Sequence, residues 1–392
     1  MNLPNAARPG YSLWDITIYF LKLGTWGFGG PVALVSYMYE DLVEKKGWLK
    51  EDEYKEGLAL AQLAPGPMAA QLGIYIGFVH YGLIGATLVG LAFVLPSFIM
   101  VVLLGMAYRM YGGLSWMQAV FYGVSSAVIG IISVSAYKLT VKSISKVRRG
   151  AIKSKWLLWC FYIVGIIVTV VTEREEILLF LACGLLYMLI QAPPTWIKKP
   201  TVVPAGLVIN TAFWQYDETT LAQIGWFFAK AGTFVFGSGL AIVPFLHSGV
   251  VNEFGWLDER QFIDSVAVAM ITPGPVVITV GFIGYLVAGF PGACVAALAT
   301  FLPCYLFTVA LAPSFKRIAK DVSVKAFVEG ITAVVIGALV GSVLIIGIRT
   351  IHDLPTALIG IAAALAVLYV KKLPEPYIIL IAAIIGILIK SF

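Results

Sequence analysis

Charge is scarce in this chain. Asp, Glu, Lys and Arg make up 12% of its 392 residues, against 60% hydrophobic residues and a mean hydropathy of +0.92. Soluble domains carry about 25% charged and about 45–50% apolar residues, so a water-solvated globular fold is excluded and the bilayer is the expected solvent. Histidine is also rare: His80, His247 and His352 have no ligand-like spacing, and Cys160, Cys183, Cys294 and Cys304 sit singly in apolar runs with no CxxC pair. Such a pattern argues against a metal centre, a disulfide framework or an enzyme built on a nucleophile and base, and no cofactor is expected. No GxxxxGK[ST] loop occurs, which excludes a self-contained ATP-driven pump. The opening MNLPNAARPG lacks the basic and apolar regions of a signal peptide and is expected to be the mature start. The net charge of +6 lies mostly on loop lysines and arginines without a basic patch interleaved with aromatics, so it reports topology and not nucleic-acid binding.

What the chain does have is itself, twice. Residues 22–34 read KLGTWGFGGPVAL and 230–242 read KAGTFVFGSGLAI, an offset of 230 − 22 = 208. Gly47-Trp48-Leu49 meets Gly255-Trp256-Leu257 at the same offset, and Pro65-Gly66-Pro67 meets Pro273-Gly274-Pro275. After a one-residue slip, GVSSAVIG at 123–130 meets GITAVVIG at 330–337. The expected organisation is a transmembrane repeat over 1–191, a linker over 192–216 and a second repeat over 217–392. Apolar segments are read at 12–44, 52–80, 82–108, 115–137, 156–172 and 175–191, and again at 219–252, 260–288, 290–313, 324–346, 355–370 and 376–391. The first two segments of each half are interrupted by a glycine cluster and by Pro-Gly-Pro.

Loop charge sets the orientation, because short loops rich in Lys and Arg stay cytoplasmic. In the first half the basic loop follows the fourth segment (Lys138, Lys142, Lys146, Arg148, Arg149, Lys153, Lys155); in the second it precedes the fourth segment (Lys316, Arg317, Lys320, Lys325). The copies therefore cross in opposite senses. With Lys198 and Lys199 of the linker inside, the first half starts outside and the second inside, the first two segments of each half together cross an odd number of times, and one of them is re-entrant. The fold class expected is an all-α polytopic membrane protein of two inverted-topology repeats, with about ten transmembrane helices and discontinuous or re-entrant helices at the breaks.

Broken helices at membrane depth are tolerated only where they face protein or a water-filled cavity. A helix that restarts after such a break presents free N–H groups and a positive dipole end, so restarts converging from both halves would bind an anion. The candidate substrate-binding residues are Lys22, Thr25, Gly29, Gly30, Gln62, Pro65, Gly66 and Gln71 in the first half. In the second they are Lys230, Thr233, Gly237, Ser238, Thr272, Gly274 and Thr279. The breaks could instead be kinks or packing points, the lysines could snorkel to an interface, and the hydroxyls could satisfy nearby carbonyls. Glu56 and Asp264 occupy one repeat position and are candidates for proton coupling or for charging the first turn of a helix.

The motifs FGGP at 28–31, GW at 47–48 and APGP at 64–67, with their second-half counterparts, resemble the chromate ion transporter family, in its long-chain two-domain form, over nearly the whole chain. The second half departs from the first motif: Ser238 and Gly239 stand where the first half has Gly30 and Pro31. The resemblance implies efflux of chromate across the cytoplasmic (inner) membrane of a prokaryote, driven by the proton motive force and giving chromate resistance. Implied partners are the chromate dianion, protons and the lipid bilayer; sulfate, an isosteric dianion, is an alternative substrate, and a homodimer is compatible with the sequence. An anion channel stays open as another class.

Overall fold

The computed structural model describes residues 10–28, 30–112, 114–144, 156–173, 176–193, 220–233, 239–315, 321–370 and 374–391, and among these every regular element is helical. The first half contains α1 (Leu13–Trp26), α2 (Gly30–Met38) with a π-helical continuation at Tyr39–Lys45, α3 (Glu51–Leu63), α4 (Met68–Tyr111), α5 (Ser115–Ser143), α6 (Trp156–Thr172) and α7 (Ile177–Gln191). The second contains α8 (Thr220–Thr233), α9 (Val243–His247) with a π-helical continuation at Ser248–Glu253, α10 (Glu259–Ile271), α11 (Thr279–Leu311), α12 (Val322–Thr350), α13 (Leu354–Tyr369) and α14 (Glu375–Ser391). Polar caps set several starts: Ser12 with Asp15, Asp258 with Gln261 and Asp353 with Thr356 form reciprocal capping boxes.

Two of the longest helices reverse direction internally. Gly82 (φ +62°) splits α4 into α4a (68–81) and α4b (83–111), and Gly289 (φ +64°) splits α11 into α11a (279–287) and α11b (290–311). Left-handed backbone of this kind suits glycine. The arms then close on each other: a Cβ on Gly77 would lie 2.4 Å from the Gly85 carbonyl oxygen, and one on Gly284 equally close to Gly292.

Contacts at the ends fix the path. The Tyr11 ring stacks on Trp48 at 4.6 Å, and the Tyr81 hydroxyl donates to the Tyr11 carbonyl, so residues 11, 48 and 81 share one end of the molecule, the first face. Between them the chain goes in and comes back twice. The Tyr19 hydroxyl donates to the Tyr37 carbonyl (3.4 Å) and to Asp41 (3.3 Å), pairing α1 with α2, and Gly57 packs on Leu72 and Tyr75, pairing α3 with α4a. Only α4b then runs to the second face; α5 returns, and α6 and α7 go out and back.

The second half runs the other way. Thr87 Oγ1 meets the Tyr305 hydroxyl at 2.9 Å, Phe98 meets Phe290 with ring centroids 6.4 Å apart, and Gly105 abuts Tyr285. From Thr87 to Phe98 residue numbers rise along α4b while from Tyr305 to Phe290 they fall along α11b, so these helices are antiparallel, and Tyr285 near the end of α11a reaches Gly105 beyond them. Helix α12 starts at the first face and lies parallel to α6, with Gly165 on Val334 and Gly341 on Thr169.

One expectation is corrected. Both interrupted segments of each half fold back, so together they cross no times and not an odd number. The first half starts on the face where α5 ends and α12 begins, the face of both basic loops, and the second half starts on the opposite one. The expected parity rested on the first half ending and the second half beginning on one face, and the structure puts those two points on opposite faces. Ala192, just after α7, packs with Ile144, Leu158 and Ala326 at the first face, whereas α8 runs beside α11b from Gly225 on Val295 to Gly232 on Thr300, starting at the second. Residues 194–219, including Lys198 and Lys199, lie outside the described residues.

Helices α4, α5, α11 and α12 are long and apolar enough to cross a membrane, and α6, α7 and α13 are shorter apolar helices. Their outer surfaces expose large apolar side chains such as Leu103, Leu178 and Ile348, which in a multi-pass membrane protein face lipid. At the centre lies α10, whose residues from Phe262 to Met270 are buried without a break. A helix buried on every side belongs to an interior, and this one carries a carboxylate.

Candidate functional site

Among the described residues, the tips at Gly27, at Pro65-Gly66-Pro67 and at Gly274 each meet the other half, whereas Gly239 packs on Val276 and Val277 of its own half. The Gly274 N–H donates to the Gly27 carbonyl at 2.9 Å, and Ser97 of α4b donates to the Gly24 carbonyl at 3.3 Å. Gly274 has φ +96°, and a Cβ there would lie 2.0 Å from Ser97 Oγ. The Pro65-Gly66-Pro67 tip faces Cys304 of α11b, 3.0 Å from a Cβ built on Gly66. Gln71 braces this tip by donating from Nε2 to the Pro65 carbonyl (2.8 Å); its Oε1 is buried without a partner among the described residues.

The other sequence candidates separate into groups. Thr25, Thr233, Thr272 and Thr279 each donate to a carbonyl three or four residues back: Leu21, Ala229, Val268 and Val276 respectively. Gln62 is exposed and Gly30 begins α2. Lys230 lies over the Trp226 ring at 5.7 Å, whereas Lys22 lines a crevice. Gly29, Gly237 and Ser238 lie outside the described residues.

That crevice, about 1030 Å³, runs from Asp41, Lys46 and Pro374 at the first face past Lys22 and Gly27 to Tyr108 and Phe121. Its walls are mostly apolar, and its flank is open at Trp26 and Tyr377. A second cavity, about 620 Å³, opens at the second face among Arg260, Arg349, His352, Asp353 and Lys390, and descends to Ser125 and Phe121. Phe121 borders both, with its ring edge-on to Tyr108 at 5.3 Å.

The paired acids differ in surroundings. Asp264, 1% exposed, accepts hydrogen bonds from the Tyr108 hydroxyl (2.8 Å) and from Ser125 (3.1 Å), both from the first half. Glu56 instead meets Tyr75 of its own hairpin. Sequence reasoning missed Tyr108 and Ser125, since only the folded chain brings residues 156 and 139 positions away onto Asp264. It also missed a clasp at the second face. There Arg349 of α12 bonds Glu259 and Glu173 (2.6 Å to the latter), while the buried His247 meets Glu259 at 2.8 Å. Partial exposure of Arg349 and its carboxylates keeps the energy of this network modest.

A family model described as Chromate transporter matches residues 14–188 and again 222–387, once in each half. A "Chromate transport protein" of Cupriavidus metallidurans is 58% identical over 97% of this chain and 94% of its own length. A "Probable chromate transport protein" of Synechococcus elongatus is 56% identical over 98% and 97%, and a "Chromate transport protein" of Pseudomonas aeruginosa is 28% identical over 98% and 94%. No solved structure matches the chain. With both halves matched and such similarity along nearly the whole length, the chain belongs to the chromate transporter family.

Proposed function

We propose that this protein is a secondary transporter that exports chromate across the cytoplasmic membrane in exchange for protons, with the dianion held where the hairpin tips converge. The observation that carries the proposal is the docking of broken-helix tips from each half onto the other in mid-molecule, between cavities that reach in from opposite faces. In transporters built of repeats, such discontinuous helices supply ion sites, and rocking of one unit against another exposes the site alternately. Here the tips are packed against protein, so admitting an anion requires Gly27 and Gly274 to part. Lys22, in the crevice just before the first tip, is the cation placed to draw the anion in. The positive-inside rule puts the first face, with the basic loops, in the cytoplasm, so the crevice is the entry for an exported anion. Matches to proteins named for chromate transport support the substrate. Inside-out vesicles containing the protein should accumulate radiolabelled chromate when energised and stop when a protonophore is added; accumulation that ignores the protonophore refutes proton-driven export.

A further inference from the structure

We propose that Asp264 alone carries the coupled proton, that Glu56 does not, and that Tyr108, Ser125 and Phe121 form the partition across which that proton passes. The assignment rests on the proton-coupled transport proposed above and narrows it from two acids to one.

Position makes the case. Along α10, Ile263 borders the second-face cavity, whereas Ala267 and Val268 border the first-face crevice. Asp264 lies between them, and its carboxylate takes one hydrogen bond from each side: Tyr108, which lines the crevice, holds one oxygen, and Ser125, which lines the second-face cavity, holds the other. Phe121 borders both spaces and packs edge-on against Tyr108. Thus a carboxylate, two hydroxyls and one ring separate the two cavities.

The electrostatics suit a proton site. Both donors to Asp264 are neutral hydroxyls, and among the described residues no cation forms an ion pair with it. The titratable or charged groups that bear on it are Tyr108 from α4b and, near the start of its own helix, Arg260 and Asp258; α5 contributes only the Ser125 hydroxyl. A carboxylate enclosed in this way carries a desolvation cost that protonation removes, so gain or loss of the proton changes the cost of parting α10 from α4b and α5. In one cycle a water-borne proton from the second-face cavity would bond to a carboxylate oxygen, and that O–H bond would break to water in the crevice as the anion leaves in the opposite direction. Glu56 shares the repeat position but not the setting: it meets Tyr75 of its own hairpin, which lines neither cavity, whereas the two donors to Asp264 line one cavity each.

The test uses proteoliposomes of wild type, Asp264→Asn, Glu56→Gln, Tyr108→Phe and Ser125→Ala. Each is assayed for radiolabelled chromate/chromate counterflow, which needs no net proton movement, and for accumulation driven by a pH gradient. Asp264→Asn should retain counterflow within about threefold of wild type and lose gradient-driven accumulation, while Glu56→Gln retains both. Tyr108→Phe and Ser125→Ala each delete one hydrogen bond to the carboxylate, so they should move the midpoint of the rate–pH profile by about half to one unit. Those two variants decide the matter if Asp264→Asn is not folded. Gradient-driven accumulation by Asp264→Asn at the wild-type level, its loss in Glu56→Gln, or unmoved profiles in both hydroxyl variants overturns the assignment. A wild type that exchanges chromate yet ignores the gradient overturns proton coupling itself, which separates failure of that proposal from failure of this one.

Discussion

Replacing Gly274 with alanine probes the docking of the second-half tip on the first half. Two costs can be worked out from the geometry. Gly274 has φ +96°, and an L-residue forced into left-handed backbone is strained by about 1–2 kcal/mol. The new Cβ would also lie 2.0 Å from Ser97 Oγ, so the serine must rotate away and give up its bond to the Gly24 carbonyl, worth about 0.5–1.5 kcal/mol. Together these destabilise by about 2–3 kcal/mol. Part of this cost is contingent on Ser97. In a Ser97→Ala background the hydroxyl and its hydrogen bond are already gone, so Gly274→Ala should cost the backbone strain and a small adjustment against the Cβ at position 97, 3.1 Å from the new one, leaving a coupling energy of about 1 kcal/mol between the two sites. Unfolding of the detergent-solubilised protein by SDS titration, followed by tryptophan fluorescence, gives all four corners of the cycle. Strictly additive effects, or a Gly274→Ala protein as stable as wild type, would refute the interlock.

Three further predictions follow from other parts of the molecule. Cysteines introduced singly at Ser12, Gly47 and Tyr81 should react with an impermeant thiol reagent from one side of the membrane and one at Asp258 from the other; labelling of Gly47→Cys and Ser12→Cys from different sides would contradict the first hairpin. Lys22→Ala should weaken chromate binding to purified protein about tenfold or more, in keeping with loss of a charge-assisted contact, whereas unchanged affinity would return Lys22 to an interfacial role. Arg349→Ala should lower stability by about 1 kcal/mol, the modest figure reflecting exposure of the clasp, and no change in the SDS titration would show that Glu173 and Glu259 gain nothing from it.

Much of this architecture can be read in the one-dimensional pattern, for particular reasons. The 208-residue offset and its one-residue slip are properties of the letters themselves, and most apolar segments set out from hydropathy agree with the helix bounds because Gly, Pro and capping side chains mark the ends; the segment read at 115–137 is the exception, since its helix continues through polar residues to Ser143. Where the basic loops fall is what suggests that the two copies cross in opposite senses. What was not legible is how many of the interrupted segments return: the segment boundaries fall at Gly82 and Gly289, where the chain turns, but neither hydropathy nor glycine content says whether the segment before such a turn has crossed or folded back. At the site, position was readable but partnership was not. Glu56 and Asp264 look equivalent in the repeat, and only the fold gives Asp264 two donors from the other half and leaves Glu56 inside its own hairpin. The threonines beside the breaks follow the other reading the sequence left open: a hydroxyl in a helix finds a carbonyl one turn back, and Thr25, Thr233 and Thr272 do so.

The central claim, that this chain moves chromate against protons, is tested most directly by uptake of radiolabelled chromate and sulfate into proteoliposomes of purified protein, with a pH gradient imposed in either direction or absent. The account predicts chromate flux that follows the gradient and reverses with its sign, with sulfate a weak competitor. Sulfate flux equal to or above that of chromate, or chromate flux indifferent to the gradient, would contradict it.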